Sequence, residues 1–228
     1  MAFSFGGKYR AGNGQGTGGP QQPRFAVLSE VRAYWEGLRV GGALPHRDAI
    51  DPRGIAGALE QTFLIERIAP GIARFRLAGM QLTEILGVDV RGMPLSALLD
   101  PVGRSKLAAP LEAVFHEPAV MDLWLEAERG IGRPNLEARL LVLPLISTRG
   151  VPDLALGCLA TEGLIGRGPR RFAIAGVMSE TLTVARATAP LRAAVQGLAE
   201  AAAPFAAAAE APRPPRGKPQ LRVVRSDD

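Results

Sequence analysis

The sequence is poor in cysteine, histidine and aromatic residues. Its one cysteine, Cys158, excludes an intramolecular disulfide and a thiolate metal cluster. The two histidines, His46 and His116, are far apart, and no metal-ligating residue follows either of them at the helical spacings i+3 or i+4. The sequence therefore predicts no metal site. Aromatic residues make up 5% of the chain, so alanine, leucine and glycine supply most of its apolar bulk.

The sequence also lacks long hydrophobic runs and a large net charge in its central region. No run approaches the ~18 apolar residues of a membrane span, and the N-terminus has no apolar stretch of signal-peptide length. We therefore expect no membrane span and a cytoplasmic location. The net charge of +5 lies at the two ends, because residues 25–210 together carry −1. This distribution argues against a specific nucleic-acid site on the folded part, although the basic ends could make weak contacts with anions.

Composition divides the chain into four predicted segments. Residues 1–24 are glycine-rich and should form a disordered arm, because they cannot bury apolar surface. Residues 25–165 should form one domain. Residues 166–208 are a C-terminal extension whose structure the sequence leaves open, and residues 209–228 should form a flexible basic tail broken by prolines.

The predicted domain begins with a helix. Leu28, Val31, Trp35 and Leu38 are spaced three, four and three residues apart, which places them on one stripe of a helix. A second, short helix should start at Asp51-Pro52, with Asp as the N-cap and Pro in the first turn, and continue to about residue 59.

Alternating apolar patterns then predict five strands, over residues 62–68, 73–78, 119–127, 135–146 and 151–160. Phe75 and Leu77 should share one face of the second strand. Short helices are expected at residues 80–86, 95–99 and 101–117, the last of them kinked or restarted at Pro110. Residues 172–187 are ambiguous, and we favour a helix from about residue 179. The fold class is therefore α+β, with one five-stranded antiparallel sheet.

Four motifs in order carry a resemblance to a known family. They are an aromatic helix segment at residues 34–39 (YWEGLR), a Pro-x-Arg-x-x-x-Asp-Pro segment at residues 45–52, Arg-Leu-Ala-Gly at residues 76–79, and Leu-Gly-x-Asp-x-x-Gly at residues 86–92. Residues 28–160 resemble PAS domains, especially a group of small stand-alone PAS-like proteins of proteobacteria. The resemblance implies a five-stranded sheet with short helices on one face and the N-terminal helix on the other.

Turn residues of the PAS-like segment are interpreted as scaffold. Gly79 should permit the φ of a sharp strand-to-helix turn, and Gly87 should end the next helix in the left-handed region. Asp89 should accept hydrogen bonds from backbone amides in a turn. Contact with a ligand is the less favoured interpretation of all three residues.

The resemblance implies that small ligands bind between the inner face of the sheet and its helices. The candidates for such a pocket are apolar residues of two strands and one helix: Phe75, Leu77, Leu111, Phe115, Met121, Leu123 and Leu125. A filled core is the more common role of such residues, because apolar stripes mostly exist to pack. Both interpretations stay open at this point.

The second face of the sheet is also predicted to be apolar, so it needs a cover. The N-terminal stripe is the natural cover, and incomplete cover or exchange between two chains would give a homodimer. The candidate interface residues are Leu28, Val31, Trp35, Leu38, Trp124, Leu141 and Leu143.

We therefore expect a non-enzymatic sensory or regulatory protein that binds a small ligand or a protein partner and signals through protein contacts. The first alternative is a ligand-free adaptor, and the second is a small cone-shaped α+β enzyme. Such an enzyme needs a buried Asp–His or Asp–Tyr pair, and Asp122 has no convincing partner. The cofactor is unknown, and none is the favoured expectation. His116 is more simply a helix-end residue than a haem ligand, and Cys158 a packing residue.

Overall fold

The computed structural model describes residues 24–183, which form one α+β domain. The predicted N-terminal arm up to residue 23, the basic tail, and the helix expected at residues 184–187 lie outside the described residues. In chain order the elements are α1 (Ala26–Gly37), β1 (Thr62–Ala69), β2 (Ile72–Ala78), α2 (Met80–Leu86), α3 (Pro101–His116), β3 (Ala119–Ala127), β4 (Leu136–Leu145), β5 (Leu154–Gly163) and β6 (Phe172–Thr181).

Short 3-10 helices fill the connections between these elements. They span Val40–Gly42, Arg47–Ala49, Pro52–Ala58 and Leu95–Leu98. The start predicted at Asp51-Pro52 is confirmed, because the Asp51 side chain accepts a hydrogen bond from the backbone N–H of Arg53. The helix that follows is of the 3-10 type.

The described strands form one antiparallel sheet in the order β2-β1-β5-β4-β3-β6. The sheet has six strands rather than the five predicted from the sequence. The sixth is β6, which comes from the segment predicted as a C-terminal extension and pairs with β3 from Phe172 to Thr181. Residues 179–181 were expected to be helical, and this prediction is wrong. The β6 pattern was hard to interpret because a bulge opposite Trp124 and Leu125 breaks its alternation.

Two apolar clusters lie on opposite faces of the sheet. The inner cluster lies between the sheet and the connection from α2 to α3, and it includes the core residues of β3 and of both of these helices. The outer cluster lies between the sheet and the N-terminal part of the domain, including α1 and Pro52–Ala58. The predicted arrangement, with short helices on one face and the N-terminal helix on the other, is therefore confirmed.

Two local predictions need correction. Helix α3 continues through Pro110 from Pro101 to His116 as one helix, so of the two outcomes predicted there, a kink or a restart, the restart does not occur. Gly79 has an ordinary φ of −70°, and its absent side chain serves another purpose. A Cβ at this position would lie 2.2 Å from the carbonyl oxygen of Glu60 and 2.3 Å from that of Leu59. Close approach of the backbone therefore requires glycine here, whereas Gly87, at φ +73°, ends α2 in the left-handed region as predicted.

Candidate functional site

The inner-face candidates lie together in the packed core, with one exception. Side chains of the following residues are at most 4% exposed and belong to the inner cluster: Phe75, Leu111, Phe115, Met121, Leu123 and Leu125. The Phe63 and Phe75 rings meet edge to face, with centroids 5.3 Å apart. Alternation on β3 is as predicted, because Met121, Leu123 and Leu125 belong to the inner cluster with α3, whereas Val120 belongs to the outer cluster. These six residues are therefore brought together as parts of one core.

Leu77 is the exception, because it faces the opposite side of the sheet from Phe75. In the register of β1 with β2, Leu64 pairs with Leu77, but the next residue, Ile65, pairs with Phe75. Arg76 is therefore an extra residue in a β-bulge, and such a bulge reverses the alternation. Leu77 is 54% exposed on the outer face, so the prediction that it shares a face with Phe75 is wrong.

Most of the interface candidates pack against one another within the chain. Leu28, Val31 and Trp35 of α1 belong to the outer cluster with Leu141 and Leu143 of β4, and all five are at most 5% exposed. Leu38 follows the end of α1 and is half-buried. In this structure the N-terminal helix covers the sheet of its own chain.

Polar contacts fix α1 at both of its ends and at its middle. Near its C-terminus, the indole Nε1 of Trp35 donates a hydrogen bond to the carbonyl oxygen of Pro144 in β4, at 3.0 Å. In the middle of the helix, the Arg32 guanidinium pairs with Glu180 of β6. Just before the helix, the Arg24 side chain pairs with carboxylates of both β4 and β5.

Tyr34 joins α1 to the 3-10 helix Pro52–Ala58. Its hydroxyl accepts a hydrogen bond from the backbone N–H of Asp51 at 2.7 Å and donates one to the Asp51 carbonyl oxygen at 3.1 Å. The ring lies against Gly54 so closely that a Cβ there would be 2.2 Å from a ring carbon. A displacement of this short helix would therefore bear directly on α1.

Trp124 lies on the outer face and contacts charged neighbours. The Arg139 guanidinium stacks over its ring at 4.8 Å from the centroid, and the same guanidinium pairs with the carboxylate of Asp122. Asp122 is 5% exposed. Its partner is thus an arginine, not the histidine or tyrosine that an isomerase-type acid–base pair needs.

Residues that could carry redox or metal chemistry are dispersed over the described part of the chain. No group of three or more His, Cys, Asp or Glu side chains among residues 24–183 is arranged to hold a metal ion. Cys158 is fully buried on β5, and burial raises the pKa of its thiol to about 12. The predicted packing role of Cys158 agrees with this position.

A pocket of about 370 Å³ opens on the outer face beside β1 and β2, where the sequence predicted no ligand site. Of the predicted pocket residues only Leu77 lines it, and Leu77 was expected on the inner face. We call this pocket the outer groove. Its lining includes Leu64, Leu77 and Leu156 from the sheet, Ile50 and Ile55 from the 3-10 region, and the arginines Arg47 and Arg91. The groove was missed because the bulge at Arg76 is not visible in the sequence. One signal did exist, since Arg47 is the arginine of the Pro-x-Arg-x-x-x-Asp-Pro motif.

Comparison with protein families identifies the domain. The family model described as PAS domain matches residues 24–160, which is more than half of the chain. The chain belongs to the PAS domain family. Among curated proteins no match was found. The matched region ends within β5 and does not include β6.

Membership in this family points to a sensory or regulatory module, since PAS domains generally sense or mediate interactions and are generally not enzymes. Within residues 24–183, no helix is long and apolar enough to cross a membrane.

Proposed function

We propose that this PAS domain is a non-enzymatic regulatory module that binds a small ligand or a protein partner and passes the signal on through α1. One observation carries the proposal. Strand β4 belongs to both clusters at once, because Leu140 and Val142 pack in the inner cluster whereas Leu141 and Leu143 pack in the outer cluster beneath α1. Any change in the inner packing would therefore reach α1 through a single strand.

A pocket on the inner side of the sheet supports the proposal that the module binds a small ligand. A pocket of about 290 Å³ lies between β2 and α3, and Leu107 and Leu111 of α3 line it together with Ala73 of β2. Leu111 is one of the residues proposed to contact a ligand. Occupancy would separate α3 from β2 and shift the equilibrium between two packings of α1, because a ligand can only favour the state that it binds more tightly.

The filled state of the inner cluster favours a second candidate, a ligand-free adaptor. Six of the seven proposed pocket residues are at most 4% exposed, as expected of residues that simply pack. In an adaptor, the exposed side of α1 and the outer face of the sheet would bind the partner directly.

Native mass spectrometry of the purified full chain separates the two candidates. A mass above that of the chain, lost on denaturation, is the expected result for the ligand-binding module. A clean mass of the bare chain in native conditions would contradict ligand binding and favour the adaptor. The measurement works for a ligand of any identity, because it reports the added mass directly.

The partner of the module can be another protein or a second copy of this chain. Exchange of α1 between two copies would form the same Trp35 and Leu28 contacts between protomers instead of within one. Sedimentation velocity over a range of concentrations tests this. A dimer at all concentrations supports the exchange, and a monomer throughout leaves a different protein as the partner. We place the module in the cytoplasm, since its one cysteine can form no intramolecular disulfide and a reducing compartment is consistent with that.

A further inference from the structure

The outer groove differs from the other outer-face pocket in its charges. Arg47 and Arg91 line the outer groove, and among residues 24–183 no carboxylate does. The neighbouring pocket of about 630 Å³ shares Arg47 with the outer groove. It is balanced, because its other two arginines, Arg76 and Arg149, and three carboxylates, those of Asp48, Glu66 and Asp153, also line it. Two of its arginines are already paired, Arg76 with Glu66 and Arg149 with Asp153. Of these two pockets, the outer groove is therefore the one with an excess of positive charge.

Arg47 carries this excess. Its side chain is half-buried and has no ion-pair partner among residues 24–183, whereas Arg91 pairs with Asp89. Two hydrogen bonds hold the backbone of Arg47 beside the end of β4. The Arg47 N–H donates to the carbonyl oxygen of Ile146 at 2.8 Å, and the Ile146 N–H donates to the carbonyl oxygen of Pro45 at 2.9 Å. The guanidinium is thus carried on a fixed backbone and makes no ion pair with a carboxylate of residues 24–183, so it is available to one monoanionic group in the outer groove.

The floor of the outer groove is apolar and incompletely covered. Leu77 is 54% exposed and Leu59 is 42% exposed, although both line a concave surface. Leu64 and Leu156 lie beside Leu77 and extend the apolar floor across β1 to β5. Leaving such side chains open in a concavity forgoes hydrophobic stabilisation, which an apolar ligand would recover.

We propose that the outer groove binds a small carboxylic acid with an apolar body, the carboxylate against Arg47 and the apolar part on Leu64, Leu77 and Leu156. Planar guanidinium and carboxylate groups match each other in geometry, and the single net charge favours a carboxylate over a phosphate dianion. This site lies on the face opposite the inner cluster, so it goes beyond the proposed function and does not depend on it. Through Ile55 and Tyr34 its wall adjoins α1.

An NMR titration of the full chain with octanoate tests the proposal. We expect saturable shifts confined to the groove, and at least tenfold weaker binding of octan-1-ol, because a charge-assisted hydrogen bond is lost. Hexanoate should bind more weakly than octanoate, by about fourfold for each of the two methylenes that it lacks. Equal affinity for the acid and the alcohol, or tighter binding of octyl phosphate than of octanoate, would overturn the proposed carboxylate site.

Matched variants locate the site. Arg47→Gln should weaken octanoate binding at least tenfold, whereas Arg53→Gln, an exposed arginine of the same region outside the groove, should leave it within twofold. Leu77→Ser should weaken binding, and Ile72→Ser, a similarly exposed residue of the same strand outside the groove, should not. Equal effects within either pair, or shifts centred on the inner cluster, would contradict the site. Added mass alone does not distinguish a ligand in the outer groove from one in the inner cluster, so the positions of the NMR shifts and the Arg47→Gln variant assign the site.

Discussion

Trp35 of α1 donates a hydrogen bond from its indole nitrogen to the carbonyl oxygen of Pro144, 3.0 Å away in β4. The Trp35 side chain is fully buried between α1 and the outer face of the sheet. Packing and one directed hydrogen bond therefore stabilise the arrangement of α1 on β4 that the structure shows. This contact makes α1 part of the folded domain and also a possible point of control.

Replacement of Trp35 should separate these two contributions. Trp35→Ala should lower the free energy of unfolding by about 3–5 kcal/mol, because a large buried side chain leaves a cavity. Trp35→Phe retains much of the packing. It should lower the free energy of unfolding by about 1 kcal/mol for the lost hydrogen bond, and by a further amount for the smaller side-chain volume. Urea denaturation measures both. The control is Trp124→Phe, at a half-buried position, and a Trp35→Ala variant as stable as this control would contradict the packing of α1.

The pairing of Arg67 with Glu112 should make stability depend on pH. The Arg67 side chain donates to both carboxylate oxygens of Glu112, at 3.1 and 2.6 Å, and the Gly71 N–H donates to the same group. The hydrogen bonds from Arg67 lower the pKa of Glu112. A lowered folded-state pKa gives stabilisation that is complete above the ordinary carboxyl pKa and is lost as the pH falls through the folded value.

Glu112→Gln should therefore be less stable than the native chain at neutral pH, and the difference should shrink as the pH falls below the ordinary glutamate pKa of about 4.3 and vanish only below the lowered folded-state pKa. Thermal unfolding between pH 3 and pH 7 measures this. Glu117→Gln, an exposed glutamate just after the same helix, is the matched control. A Glu112→Gln deficit that is the same at every pH would show that the pair contributes nothing through its charge.

Gly79 should tolerate no side chain, although its φ is ordinary. A Cβ would lie 2.2 and 2.3 Å from two carbonyl oxygens of the segment before β1, so Gly79→Ala must push backbone apart. We expect a loss of about 2 kcal/mol or more, within the range of overpacking substitutions. Gly37→Ala, at the end of α1 with open space around it, should be neutral or stabilising by up to about 1 kcal/mol. Equal stability of the two variants in urea would refute the close approach.

Cys158 should be unreactive in the native chain. Its thiol is fully buried, and burial raises its pKa to about 12, so almost no thiolate exists at pH 8. Alkylation with iodoacetamide at pH 8, followed by mass spectrometry, should give little product until denaturant is added. Alkylation in native buffer at the rate of the unfolded chain would show that β5 opens freely, contrary to its position in the centre of the sheet.

Sequence patterns predicted the fold well where periodicity is regular. The stripe of α1 and the odd-numbered residues of β3 follow simple periods, and both faces are as expected. The prediction failed at Leu77 and in β6, because each strand contains a bulge that depends on its partner's register. A bulge is a relation between two strands, and no local pattern in one strand specifies it.

The outer groove and one buried charge lay beyond sequence analysis for a related reason. Arg170 is 1% exposed, and its guanidinium donates to the carbonyl oxygens of Ile165, Glu128 and Pro134. Burial lowers its pKa. In the sequence Arg170 adjoins Arg171 and looks like any surface arginine. Its role becomes visible only in the structure, where three loops come together around it. In the same way, the groove around Arg47 is visible only where β2 lies beside the 3-10 region.

Amide hydrogen exchange of the full chain tests the central claim, that α1 is a separately movable element on the sheet. A regulatory α1 must open without unfolding the sheet, so its amides should exchange at least about 100-fold faster than those in the centre of β4. Urea should then accelerate α1 exchange less steeply than β4 exchange, because opening of α1 exposes less surface than global unfolding does. Exchange of α1 at the rate of β4, with the same steep dependence on urea, would show that α1 opens only on global unfolding and would contradict the account.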